Sequence, residues 1–536
     1  MSIVDTLVAL NPLFLVALLP GFLLLAHLVQ YVIDPHRIRA NDVPGPFVAK
    51  FTEAWLGWVA AQGHRSEVVH KVHQKYGPFV RLAPNHVSIS DPEALQIVYA
   101  HGNGALKSDF YDAFFNIRRT LFTTRDRAEH TRKRKIVSHV FAPKSTREFE
   151  PHIRAHVGSL LRQWDRLADG GAKGEQGSDG QGGWKGHNGR VWLDALPWYN
   201  YLAFDIIGDL AFGSPFGMIN AGRDYAAVAV TQSDALSGNE KVTTTYIPAV
   251  QILNDRGDFS ASMGVLPPWV RPLVRKLPWY ANGSKAVKNL AGLAVAAVSK
   301  RLAEPSGRTD LLSKLQEGKD DDGNPMGRDE LTAEALTQLI AGSDTTSNSS
   351  CAITFHLAAN PSVQAKLQQE LDNALGTEDD PVAHYEDVKR LTYLEAVINE
   401  GLRMHSTSAM GLARIVPAGG LTVLGTHFPP GTVLSVPSFS IHRDKATWGD
   451  DADYYRPERW MERDPALIQR AFNPFSFGPR ACIGRNLAMM ELSIIIASVL
   501  RRYHFVLENP DLPLDTREGF LRKPLECRVG LKRREL

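Results

Sequence analysis

Apolar positions along this chain recur mostly at helical spacing. One long helix is expected from near Asp329, which reads as its N-cap, to about Asn360, where Pro361 stops it, with Leu336, Leu339 and Ile340 at helical spacing. About thirty residues at a rise of 1.5 Å span roughly 45 Å, enough to cross a whole domain. Strand-like alternation is rarer. Gly77 to Ser90 carries it, with Val80 and Leu82 around Arg81, a Pro84-Asn85 turn, then Val87 and Ile89, and is expected to form a hairpin. The fold class implied is mainly α with small β-sheets.

Leu13 to Ile33 departs from amphipathic patterning, being almost wholly apolar apart from His27 and Gln30. About 21 such residues reach roughly 30 Å, the thickness of a bilayer's hydrocarbon layer. The segment begins with Asp5 rather than a basic stretch and runs through Tyr31 into Asp34 without a small-x-small cleavage site. It therefore reads as a retained membrane anchor over residues 1–34, not a cleaved signal. Arg37 and Arg39 follow the span, which puts the body in the cytosol and fits a single-pass anchor in the endoplasmic reticulum membrane. Val43-Pro44-Gly45-Pro46 makes residues 35–47 a stiff hinge, because proline fixes φ and restricts the residue before it. Residues 48–536 form the main body. Within it, residues 169–190 are crowded with glycine and are expected as a flexible surface insertion; neither a dinucleotide fingerprint nor a Walker pattern fits them.

Composition narrows the function. Lys and Arg number 60 against 58 Asp and Glu, a net charge of +2, so no global field draws in nucleic acid. A hydrophobic share of 44% excludes disorder for most of the chain. Cys351, Cys482 and Cys527 are too few and scattered for a disulfide framework or a paired-cysteine zinc site, which points to a reducing compartment. A length of 536 residues allows up to three domains by division, but large single-core enzymes exceed that divisor.

Two patches break the pattern. Inside the long helix, Ala341-Gly342-Ser343-Asp344-Thr345-Thr346-Ser347-Asn348-Ser349-Ser350 are small or polar, mediocre helix formers that cover every face, so some must point inward. Small residues let a flat ligand approach the backbone, and Thr and Asp can relay protons. The second patch, Phe475-Ser476-Phe477-Gly478-Pro479-Arg480-Ala481-Cys482-Ile483-Gly484, wraps a glycine- and proline-bearing loop around one cysteine just before a helical run. The helix N-terminus and Arg480 favour thiolate there, and a single thiolate on such a loop suits an axial ligand to haem iron.

These residues match F-x-x-G-x-R-x-C-x-G throughout, and the chain resembles the cytochrome P-450 family of haem-thiolate monooxygenases. Ala341–Thr346, the E-x-x-R run Glu400-Gly401-Leu402-Arg403, and Pro457-Glu458-Arg459-Trp460, with Trp where the family has Phe, occur in the family's order. The resemblance covers residue 40 to the C-terminus. It implies haem b (iron protoporphyrin IX) ligated by Cys482, Thr345 and Asp344 in oxygen activation and proton relay, and Glu400, Arg403 and Arg459 in a buried ion network. The cofactor contacts it implies are His130 with Arg134, where the family has Trp in place of His130, together with Arg414, Phe475 and Arg480. Arg132, Lys133 and Lys135 are either surface charge or a face for an acidic redox partner. Since no dinucleotide fingerprint or flavoprotein-sized segment is present, electrons are expected from NADPH through a separate membrane-bound cytochrome P-450 reductase, with O2 as oxidant.

Segments Gly102–Gly104, Lys107–Phe114, Thr124–His130, His405–Leu412 and Thr516–Pro524 further resemble fungal benzoate para-hydroxylases. The expected substrate is a small aromatic carboxylic acid, benzoate giving 4-hydroxybenzoate; another small aromatic or a phenylpropanoid-derived compound is the same-class alternative. A non-catalytic haem sensor or carrier is the other class, against which the intact Asp344-Thr345 pair stands. Tyr111, Phe114, Phe115, Met410 and Phe520 are candidates for the ring slot, and Thr407, Ser408 or Tyr111 for the carboxylate donor.

Overall fold

The computed structural model describes residues 43–229, 244–303, 310–320, 322–376 and 380–535, with part of 21–36. Most of the expected anchor, 1–34, and hinge residues 37–42 lie outside the described residues. Of 21–33, the described residues are helical, and Leu25, Leu28, Val29, Val32 and Ile33 expose apolar side chains. Among the described residues no helix is long and apolar enough to cross a membrane. The proline link is pinned to the body: Pro44 O accepts from Arg81 N at 2.8 Å, and a Cβ on Gly45 would stand 2.5 Å from the Arg81 carbonyl oxygen.

The helices that position the site are α1 (Arg127–Ser138), α2 (Glu150–Ala172), α3 (Ala195–Phe212), α4 (Ala249–Gly264), α5 (Arg328–Ala359), α6 (Thr392–Met404) and α7 (Arg485–Arg502). The strands are β1 (Phe79–Ala83), β2 (His86–Ile89), β3 (Leu106–Lys107), β4 (Gln176–Gly177), β5 (Trp184–His187), β6 (Arg190–Asp194), β7 (Arg414–Ile415), β8 (Val433–Ser435), β9 (Tyr503–Leu507), β10 (Thr516–Glu518), β11 (Arg522–Pro524) and β12 (Arg528–Arg533). β1 and β2 form the expected hairpin. β8 joins β2 in parallel, and β7 and β3 extend this sheet in the order β1-β2-β8-β7-β3. That register sets Lys107 opposite Arg414.

Helix α5 spans 32 residues. Gly327 is its N-cap, so Asp329 instead lies in the first turn, where its charge favours the helix dipole. Pro361 opens the next helix after the Asn360 cap. The small-residue run in α5 serves packing first. A Cβ on Gly342 would lie 2.8 Å from Ile207 Cδ1 on α3, and a Cβ on Gly401 of α6 would overlap Ile353 on α5. Glycine lets these helices cross closely, leaving the face with Ala341 and Thr345 open to a cavity.

Residues 169–190 correct the expectation of a flexible insertion. β4 and β5 continue a second sheet in the order β9-β12-β6-β5-β4. Trp184 is buried against Gly170 and Gly177, and Gly171 sits so close to Val191 that a Cβ would come within 2.6 Å. The glycines here allow close packing of a hairpin over the end of α2 rather than freedom, and one tryptophan provides the apolar anchor.

Candidate active site

A central cavity, with its mouth, holds about 1920 Å3 of space free of protein atoms. Its walls come from α5, the 473–484 loop, the 107–123 segment, residues 407–414 and the 520–521 turn. Cys482 opens onto it. The loop is shaped by Cys482 N donating to Phe475 O at 2.8 Å and Ala481 N donating to Gly478 O at 3.0 Å. Gly478 has φ +70°, and a Cβ there would overlap the Tyr99 carbonyl oxygen, so only glycine fits.

The protein alone does not favour thiolate at Cys482. Burial pushes the thiol up, against the backbone N–H groups of Gly484 and Arg485 and the charges of Arg134 and Arg485. Arg480, expected beside the sulfur, instead donates to the Thr124 carbonyl at 2.9 Å and to those of Arg125 and Asp126 at 3.4 Å. An anionic sulfur at this position calls for a bound cation, and a coordinated metal ion supplies one.

Cations crowd one side of the cavity. Lys107, Arg414 and Arg480 line it, with His130 and Arg134 beside them. Burial and then Arg480, Lys107, Arg134 and Arg414 hold His130 down to about 3. Burial and then Arg414, Arg480 and Arg134 hold Lys107 well below the usual lysine range. Burial and then Arg414 bring Arg480 to about 10. Such mutual repulsion in a buried cluster is relieved by a ligand carrying anionic groups. A cysteine sulfur, a broad cavity and this cluster together fit haem and its two propionates. Phe475 lines the same wall, and Arg134 Nη1 braces the loop through Ala481 O at 3.0 Å.

On the α5 side, Thr345 Oγ1 donates to Ala341 O at 2.7 Å, leaving its lone pairs for the cavity. Asp344 does not line the cavity; its Oδ2 is bound by Lys523 Nζ at 2.9 Å. Thr346 Oγ1 donates to Glu491 Oε2 at 2.8 Å, and burial raises that carboxyl to about 7.

The ring slot is partly as expected. Tyr111, Phe114 and Phe520 line the cavity, as do Thr407 and Ser408, and Phe122 joins them with its ring centroid 5.7 Å from Phe114 and 5.3 Å from Phe520. Phe115 is a correction: it is 47% exposed on the outer surface, because the short 3-10 turn Asp109–Phe114 ends before it. Met410 is also corrected: it is buried in the apolar cluster that holds Leu56, Val80, Phe110 and the slot rings, and does not line the cavity. Tyr111 OH accepts from Arg414 Nη1 at 3.2 Å.

The ion network is fully buried. Glu400 accepts from Arg403 Nε and Nη2 and from Arg459 Nε, all at 2.9 Å, and Trp460 Nε1 adds a bond at 3.0 Å. The tryptophan in place of phenylalanine thus supplies a further donor. Neither Arg132 nor Lys133 is a free surface cation: both pair with Glu330, and Lys133 is 2% exposed.

Lys107, Phe122, Arg256 and Glu491 are cavity residues that sequence reasoning did not single out. A carboxylate inside the apolar run Met489–Ile496 was a legible signal for Glu491; the others sit in segments whose facing no periodicity reveals.

Residues 44–531 match the family model described as Cytochrome P450. The chain is 50% identical over 529 residues to the benzoate 4-monooxygenase bphA of Aspergillus niger, covering 96% of this chain and 97% of that one. It is 31% identical over 517 residues to the cytochrome P450 monooxygenase atr2 of Stereocaulon alpinum (94% and 93% covered) and 30% over 524 to the cytochrome P450 monooxygenase gsfF of Penicillium aethiopicum (92% and 94%). With the cysteine loop, the cation cluster and the buried Glu400 network in place, the chain belongs to the cytochrome P450 family and is a monooxygenase.

Proposed function

We propose that this monooxygenase hydroxylates benzoate to 4-hydroxybenzoate. The observation that carries the reading is 50% identity across 96% of the chain to a benzoate 4-monooxygenase. An aromatic slot of Phe114, Phe122 and Phe520 in the cavity that Cys482 also lines supports it, since a flat ring needs apolar walls. Haem b, ligated by Cys482 and supplied with electrons from NADPH by a separate reductase, provides the oxygen chemistry when bound.

The chain's own residues do the rest. Arg414, Arg480 and Lys107 would neutralise the propionates of bound haem, with His130 and Arg134 beside them. The slot excludes water and holds the ring with one edge toward the sulfur end. Thr345 accepts a hydrogen bond at Oγ1, its own proton being committed to Ala341 O. Asp344 passes protons toward Thr345 once its ion pair with Lys523 opens. An N-terminal anchor in the endoplasmic reticulum membrane, with the body facing the cytosol, places the enzyme beside a membrane-bound reductase.

The test is titration of the purified holoprotein with benzoate, followed by product analysis with a reductase and NADPH. A low-to-high-spin shift and 4-hydroxybenzoate are expected. No shift and no para-hydroxylated product would end the benzoate reading, and a carbon monoxide difference spectrum without the thiolate band would end the Cys482 assignment.

A further inference from the structure

Arg256 is a buried cation that no described carboxylate meets in an ion pair. It lies on α4, is 6% exposed, and lines the cavity. Its Nη2 donates to the Phe114 carbonyl at 3.2 Å, and its Cζ stands 5.2 Å from the centroid of the Phe114 ring. Its Nε is buried without a hydrogen-bond partner. Among the described residues it forms no ion pair. Nearby acids are engaged elsewhere: Asp258 Oδ2 accepts from Arg517 Nε at 2.7 Å, Asp255 Oδ1 accepts from Gln251 Nε2 at 2.9 Å, and Asp344, whose charge reaches Arg256, is ion-paired through Oδ2 with Lys523. Burial brings the guanidinium down to about 10 against the opposing charge of Asp344, so it remains charged at neutral pH.

A buried, charged guanidinium with an orphan N–H is costly unless an anion meets it, and a planar fork of donors suits a carboxylate best. This one borders the aromatic slot through Phe114. Tyr111, Thr407 and Ser408 also line the cavity, but they offer neutral hydroxyls, whereas a guanidinium adds charge to the hydrogen bond. We infer that Arg256 binds the carboxylate of the substrate, so that the site selects small aromatic acids over neutral aromatics and turns the carbon opposite the carboxyl toward Cys482. The inference rests on the proposed benzoate reading and adds the residue that sets both substrate class and position of attack.

The experiment uses the haem-loaded enzyme and reads the spin-state shift on titration with benzoate and with benzamide, its neutral isostere, for wild type, Arg256→Gln and Arg256→Lys. Wild type should bind benzoate far more tightly than benzamide. Arg256→Gln should weaken benzoate binding by about 30- to 1000-fold with benzamide little changed, as expected for removing one member of a buried charge pair. Arg256→Lys should fall between, keeping the charge but losing the fork. An intact carbon monoxide spectrum certifies each variant. If wild type binds and hydroxylates benzoate and Arg256→Gln binds it equally well, the Arg256 assignment falls and the benzoate reading stands. If wild type binds no benzoate, both fall. Should the glutamine variant fail to assemble with haem, equal affinity of wild type for benzoate and benzamide would still overturn the inference.

Discussion

Replacing Glu400 by Gln tests whether the buried ion network holds the cysteine loop. Glu400 accepts five hydrogen bonds: Arg403 Nη2, Arg459 Nε and Arg456 N on Oε1, and Arg403 Nε and Trp460 Nε1 on Oε2. Gln retains at best the three on Oε1. Its NH2 then faces two donors, and the guanidiniums of Arg403 and Arg459, both 0% exposed, lose their shared anion. Asp451 still pairs with Arg459, but the remaining oxygen partners of Arg403 are carbonyls of His442, Ala452 and Tyr454. Breaking a buried pair in this way costs about 3–5 kcal/mol. Arg456→Ala is the control, because its side-chain pairs with Asp451 and Glu462 are solvent-exposed and worth about 0.2–1 kcal/mol. The assay is the denaturant midpoint followed by tryptophan emission, with Trp448 and Trp460 (ring centroids 5.6 Å apart) reporting from inside the network. Haem content should fall too, since Trp460 packs 4.6 Å from Phe472, next to the cysteine loop. Burial pushes the Glu400 carboxyl up, but the Arg403 bonds and both guanidinium charges outweigh it and hold the group below its usual range. Its stabilisation is therefore present above the unfolded value of about 4.3 and lost as pH falls through the folded value, so the gap between wild type and Glu400→Gln should close in acid. Equal midpoints for Glu400→Gln and wild type at neutral pH, or an Arg456→Ala loss as large, would refute the reasoning.

Other outcomes follow from single features of the site. Gly478→Ala should abolish haem incorporation, because a methyl there meets the Tyr99 carbonyl in backbone that already has φ +70°; a normal carbon monoxide spectrum would contradict this. Lys107→Met should lower the haem-to-protein ratio, whereas Lys144→Met, at an exposed position, should not; equal ratios would remove Lys107 from the cofactor cluster. Glu491 is raised by burial to about 7, so its protonated form is favoured in the fold and stability is lost as pH rises from the unfolded value of about 4.3 through 7. Glu491→Gln mimics the neutral acid and should be relatively more stable than wild type at pH 8 than at pH 4; a pH-independent difference would show that the carboxyl is not titrating as described.

By itself the sequence determined what depends on near neighbours in the chain. Spacing located α5 to within a residue or two and the β1–β2 hairpin, and the Phe475–Gly484 pattern, Glu400-x-x-Arg403 and Pro457–Trp460 marked the cysteine loop and the Glu400–Arg403–Arg459 ion network. Tertiary structure decided what depends on distant segments meeting. Glycines read as flexible at 169–190 turned out to be close-packed against Trp184 and Val191, because the same missing Cβ serves freedom and contact alike. Phe115 and Met410 left the slot and Phe122 entered it, since irregular segments carry no periodicity that fixes facing. Lys107 joined Arg414 only through the pairing of β3 with β7, and Asp344 ion-paired with Lys523, 179 positions away in the sequence, while Arg256 was buried on the cavity wall without an ion pair. Local pattern encodes which elements form. Burial of charge, and hence the chemistry of the cavity, is a property of their assembly.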